Sequence, residues 1–139
     1  MKGHNKGVDY WALGVLIYEC LVGYEPFYAD DQTAMFKKIC KINFSIPRSM
    51  NKEAADLVEK LLVGQKKRLG CLANGDKDIR DHPFYKSMDW DDLLNKKITP
   101  PWAPKVRDAL DTSNFDPIKY RPERKVRISP ADEKLFRDF

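Results

Sequence analysis

The most regular pattern of apolar and polar positions lies over residues 52–63. Ala54, Leu57, Val58, Leu61 and Leu62 follow the i, i+3, i+4, i+7 spacing of a single helix face. The spacing predicts a helix packed on the rest of the fold by that stripe. A different pattern covers Val8 to Val22, where Val8, Trp11, Leu13, Val15, Leu16, Ile17, Tyr18 and Leu21 leave almost no polar side. A helix that is hydrophobic all round is expected in the middle of a structure, here as the central post of a helical domain. Asn5 is available to cap it and Gly23 to end it in the left-handed conformation. Its charged residues are two carboxylates, Asp9 near the start and Glu19 near the end. On a buried helix each would need a partner.

Shorter elements follow. In "ADDQTAMFKKICK", Asp30 or Asp31 caps a helix with a narrow face of Met35, Phe36 and Ile39. "INFSIP" is extended, because Pro47 turns Ile46 away from helical angles. "LANGDKD" carries an Asn-Gly turn, and Asp89 begins a last short helix in "DWDDLLNKK". From Ile98 onward no period is sustained, and six of the nine prolines fall there. Such a segment builds no core of its own, and is expected either to lie across another surface or to stay mobile. The layout is mainly α, a helical body over residues 1–98 followed by a largely irregular tail over 99–139, with no internal repeat.

Composition narrows the function classes only a little. The 139 residues fit one domain, and 42% apolar with 33% charged residues describes a folded chain. A net charge of +4 does not by itself imply nucleic acid. The basic run over Lys119–Arg127, with Tyr120 inside it, has a suitable composition but is more simply a solvated tail. Cys20, Cys40 and Cys71 are far apart, and neither His4 nor His82 is near any of them. They are read as reduced structural thiols rather than metal ligands. The N-terminal residues lack the apolar core of a signal peptide, and the first helix is too short and too charged to span a bilayer. A soluble chain of the cytoplasm or nucleus is expected, without membrane or nucleic-acid partners.

"NKGVDYWALGVLIYE", "GYEPF", "KKRLG" and "DHPF", in that order, resemble the second half of the large lobe of eukaryotic serine/threonine protein kinases. "DTSNFD" and a closing "FRDF" resemble the C-terminal tail of the AGC group, most of all its cAMP-dependent kinases, with the cGMP-dependent ones next. The resemblance runs over essentially the whole chain. It departs from the group after "NFD", where "PIKYRPERKVR" is basic in place of an acidic run and Tyr120 is displaced. Cys20 stands where methionine is usual, a soft exchange.

What the resemblance implies can be set out residue by residue. Asp9 matches a carboxylate that accepts backbone hydrogen bonds from the catalytic loop; as an acid in a first helical turn it also suits the helix dipole. Glu19 matches a position that binds an arginine two residues before the phosphorylated Ser or Thr, which a guanidinium can meet with two parallel bonds; a surface Glu paired with a nearby cation is the plainer alternative. Tyr24 and Tyr28 flank that groove and would contact peptide or a regulatory subunit, or simply pack. Arg68 matches the partner of the buried Glu of the APE motif. Without that Glu it would be costly to bury, whereas as a basic residue after a helix end it would cost nothing. Phe115 matches a tail residue that reaches the ATP pocket. Ser129 matches a phosphorylated turn site near Arg124 and Arg127. Phe136 and Phe139 match a hydrophobic motif that docks on the small lobe; a frayed chain end is the duller reading.

Phosphoryl transfer needs a Gly-rich loop, a phosphate-binding lysine, a catalytic Asp and a metal-binding Asp. The 139 residues contain no GxGxxG, VAIK-like or DFG sequence, and Arg80-Asp81 lacks a preceding His. Lys86 stands where a metal-binding Asn would be needed. The resemblance places the APE motif and activation loop ahead of Met1. The expected function is therefore that of the C-terminal part of an AGC kinase whose whole transfers the ATP γ-phosphate to Ser or Thr in basic peptides. This chain by itself is expected to be inactive and to hold neither ATP nor Mg. Its expected partners are a basic peptide, a regulatory subunit or the N-terminal half of a kinase. The alternative is a non-catalytic binding module for the same peptides.

Overall fold

In the computed structural model the described residues are 3–118 and 128–136. They form α1 (Gly7–Val22), α2 (Gln32–Lys41), α3 (Lys52–Leu61), α4 (Lys77–Arg80), α5 (Trp90–Leu94) and α6 (Pro130–Leu135), with 3₁₀ turns at Gln65–Lys67 and Pro83–Tyr85. No strand occurs among the described residues. The fold is mainly α, with an irregular tail. It divides into two units, Met1–Lys97 and Ile98–Phe139.

The first unit is built on α1 against α3. Asn51 opens α3 by accepting the backbone N–H groups of Glu53 and Ala54, at 2.8 and 3.4 Å. The apolar stripe of α3 is the core: Leu57, Val58 and Leu61 are fully buried, with Ala54 and Leu62 beside them. Each such Leu or Val contributes about 1.5–3 kcal/mol relative to an exposed position. From α1 the buried residues are Gly7, Gly14, Ile17 and Tyr18. Gly14 sets how close the helices come, since a Cβ there would lie 2.9 Å from both Leu61 Cβ and Leu62 Cδ2. The Tyr18 hydroxyl donates to the Ser45 carbonyl at 3.0 Å, which fixes the irregular 43–47 segment; Ile42, read as the start of an extended stretch, is left-handed at φ +52° and closes α2 instead. Phe27 stacks on Trp11 at 5.4 Å and meets Phe44 edge-on at 5.6 Å.

α1 is not buried all round, contrary to the reading from its composition. Its other side is open, with Val8 and Leu16 about half exposed. The apolar content of a helix shows that faces need cover, and only one face of α1 has it here. Gly23 does end the helix, at φ +91°, and its N–H donates to the Glu19 carbonyl. Asn5 binds the Gly7 N–H at 2.9 Å from just outside the cap position. α2 is capped by Asp31, not Asp30, and α5 by Asp89.

A polar link fastens α3 to the segment after α4. His82 is buried and its Nε2 lies 2.8 Å from Asp56 Oδ2, while its Nδ1 accepts the Phe84 N–H at 3.3 Å. That acceptor role places the ring proton on Nε2, which donates to the carboxylate. Lys60 lies on the same oxygen at 2.6 Å. The Lys60 ammonium first, and then the His82 ring, hold the Asp56 carboxyl below the usual carboxylate range. A depressed folded pKa gives stability that is present above about pH 4, the usual unfolded value, and is lost as pH falls through the folded one. Asp56 is half exposed, so the contribution is modest. Asp56→Asn is expected to cost about 0.5–1 kcal/mol at pH 7 in urea unfolding. The gap between variant and wild type should narrow as pH falls below about 4.

Candidate functional site

Asp9 and Glu19 lie roughly a quarter turn apart on α1 at ~3.6 residues per turn. Both are on its exposed side, among Val8, Ala12 and Leu16. Neither carboxylate makes a hydrogen bond or ion pair among the described residues. The two carboxylates thus hold nothing within this unit. They are offered outward from a half-apolar surface, an arrangement suited to receiving donors from elsewhere. Asp9 also stands in the first turn of α1, where the helix dipole favours it.

Arg68 follows the turn after α3 and is only 8% exposed. Its Nη1 donates to the Gly7 carbonyl at 2.6 Å. Nε and Nη2 donate to the Val63 carbonyl at 3.1 and 2.8 Å. The guanidinium lies 4.9 Å from the centre of the Trp11 ring. Burial pulls its pKa down, an effect opposed by nearby Cys71, but guanidinium stays charged. No carboxylate pairs with it among the described residues. Backbone carbonyls and an aromatic face serve instead, so Arg68 clasps the start of α1 to the end of α3.

The Gly23–Ala29 turn separates two clefts. One, of about 350 Å³, is lined by Tyr18, Tyr24, Glu25, Tyr28 and Lys38 among others. The second, of about 360 Å³, is largely apolar, with Trp11, Val15, Met35 and Ile39 in its wall. The structure therefore brings Tyr24 and Tyr28 together on one cleft, each more than half exposed. Glu19 is not in its lining. Burial raises the Tyr18 phenol pKa, and the neighbouring Tyr24 adds to the rise.

In the second unit, residues 105–115 tie themselves into a polar knot. The Asp111 carboxylate accepts from the Arg107 N–H and Nε at 3.0 Å, from Nη2 at 3.2 Å, and from the Ser113 N–H at 2.9 Å. Asn114 Nδ2 donates to the Lys105 carbonyl at 2.9 Å. The Arg107 guanidinium chiefly holds the Asp111 carboxyl far below the usual range. The knot presents Phe115 with 76% of its surface exposed. Ser129 caps α6: its Oγ accepts the Asp132 N–H at 3.2 Å and lies 2.6 Å from the Asp132 carboxylate. Phe136 follows α6 and is largely exposed. Phe139, Tyr120, Arg124, Arg127 and the basic run lie outside the described residues.

No group of three His, Cys, Asp or Glu side chains stands together to hold a metal ion among the described residues. No helix among them is long and apolar enough to cross a membrane. Two features escape the sequence reading. One is the His82–Asp56 link, whose signal was a His directly before Pro83. The other is Glu25, a carboxylate inside "GYEPF" that borders both clefts.

Residues 1–85 match the family described as the protein kinase domain. The chain belongs to the protein kinase domain family. This kinase chain is 43% identical over 140 residues to "cAMP-dependent protein kinase catalytic subunit 3" of Drosophila melanogaster, covering 99% of the chain and 24% of that relative. It is 41% identical to "cAMP-dependent protein kinase, catalytic subunit-like" of Caenorhabditis elegans, covering 99% of the chain and 35% of the relative. Against "cAMP-dependent protein kinase catalytic subunit PRKX" of Homo sapiens the identity is 36%, over 99% of the chain and 39% of the relative. The kinase chain thus spans between about a quarter and two fifths of these relatives' lengths. The likeness includes the tail, which places the chain with the AGC kinases.

Proposed function

We propose that this chain supplies the peptide-recognising part of an AGC serine/threonine kinase large lobe with its tail, and not the groups that carry out phosphoryl transfer. The whole kinase would transfer the ATP γ-phosphate to Ser or Thr in basic proteins, in the cytoplasm or nucleus. The observation that carries this reading is the open side of α1, where Asp9, Glu19, Val8 and Leu16 are exposed together. Glu19 is the arginine-binding carboxylate, with Tyr24 and Tyr28 nearby in sequence as further contacts for peptide or a regulatory subunit. Asp9, Val8 and Leu16 receive the catalytic loop and its surroundings from the N-terminal half of a kinase domain. Phe115 approaches ATP from the tail, Ser129 is the phosphorylated turn site, and Phe136 and Phe139 dock on a small lobe.

ATP and Mg belong to the parent family's chemistry. The described side chains do not fit a magnesium or phosphate site, since they offer neither clustered ligands nor a phosphate-cradling loop. No step is drawn through them. A second reading, a binding module that works without catalysis, is favoured by Arg68, whose backbone partners let the α1–α3 core close without the missing carboxylate.

Both readings require Glu19 to hold arginine. Titration of the 139-residue chain with a peptide carrying Arg two residues before Ser should show binding. Glu19→Gln should weaken it on the order of tenfold, and replacing that Arg by citrulline should weaken it equally. Equal affinity for wild type and Glu19→Gln would remove Glu19 from the role.

A further inference from the structure

We infer that the cleft beside the Gly23–Ala29 turn is a second arginine subsite, built on Glu25 between Tyr24 and Tyr28. The inference rests on the basic-peptide reading and adds to its Tyr24 and Tyr28 contacts a carboxylate, Glu25, that the reading does not use. Three observations meet there. The cleft is open and about 350 Å³ in volume, of a size to take one long side chain. Two of its walls are tyrosines exposed by 53% and 58%, so their ring surfaces are available to a planar group. Its one carboxylate, Glu25, makes no hydrogen bond or ion pair among the described residues.

The cation in the lining is already engaged. Lys38 Nζ donates to the Tyr28 carbonyl and makes no ion pair with Glu25, so the carboxylate stays open while the ammonium keeps its charge within the lining. An arginine side chain fits what remains. Its guanidinium stacks on a phenol ring while its N–H fork meets the carboxylate. A lysine would satisfy the charge but not the stacking. A neutral planar group would stack without the charge. The occupant is therefore an arginine on a protein segment, outside the arginine that Glu19 takes.

The test uses the whole chain labelled with ¹⁵N and titrated with Nα-acetyl-arginine-N-methylamide. The lysine and citrulline counterparts serve as comparisons. The expected result is movement of the Tyr24, Glu25 and Tyr28 amide signals with the arginine probe, weaker movement with lysine and none with citrulline. Glu25→Gln should abolish the movement at these amides, whereas Glu19→Gln should leave it intact. Citrulline acting as well as arginine, or Glu25→Gln binding unchanged, would overturn the inference. Shifts confined to the neighbourhood of Glu19 would also overturn it while leaving the Glu19 reading standing. A probe that moved neither set of signals would count against both.

Discussion

Replacing Arg68 with alanine is expected to lower the stability of the first unit by about 2–4 kcal/mol, the largest loss from any polar side chain in it. Arg68 is buried, and three N–H groups reach two carbonyls that belong to different helix ends, Gly7 on α1 and Val63 just past α3. Alanine removes the charge and the contact with Trp11, and it leaves both carbonyls without these donors. Arg68→Lys is expected to lose about 2 kcal/mol, because a single ammonium cannot span both carbonyls as the planar fork does. The midpoint of urea unfolding measures both. Near-wild-type stability in the lysine variant would show that charge, and not the fork, is what the site requires.

Gly14→Leu is expected to destabilise by about 3 kcal/mol, and Gly14→Ala by about 1 kcal/mol. The second value has an informative sign, since helix propensity alone favours alanine over glycine by about 1 kcal/mol. Packing wins because the new Cβ would stand 2.9 Å from Leu61 Cβ, a backbone-anchored atom that cannot swing away. The effect should be coupled to its neighbour. In a double-mutant cycle, Gly14→Ala with Leu62→Ala should cost less than the sum of the two single changes, because alanine at 62 removes the Cγ and Cδ2 atoms that also crowd the new Cβ. Thermal unfolding of the three variants provides the comparison, and strict additivity would show that the helices part to make room.

The α3 stripe was legible because period and burial coincide there: every residue the spacing selected is in the core. α1 was legible as a helix but not in its surroundings, since an all-apolar sequence does not reveal which of its faces is covered within the chain. α6 was missed although Ser129, Pro130 and Asp132 spell a cap, a first-turn proline and an acid three residues on. The absence of period over the preceding residues outweighed that local signal. Arg68 shows a different limit. Its family likeness pointed to a carboxylate, whereas the acceptors in the fold are backbone groups 61 and 5 residues away, which no side-chain pattern encodes. Glu25 was quoted within a motif but acquires meaning only once the turn sets it between two clefts.

Phosphorus NMR of the purified 139-residue chain, mixed with Mg·ATP and an Arg-bearing serine peptide, tests the central claim most directly. The expected spectrum is that of unchanged ATP, with no ADP and no phosphoserine signal, in the same sample that binds the peptide through Glu19. Magnesium-dependent appearance of phosphoserine together with ADP would contradict it, and would place the transferring groups among residues assigned here only to recognition.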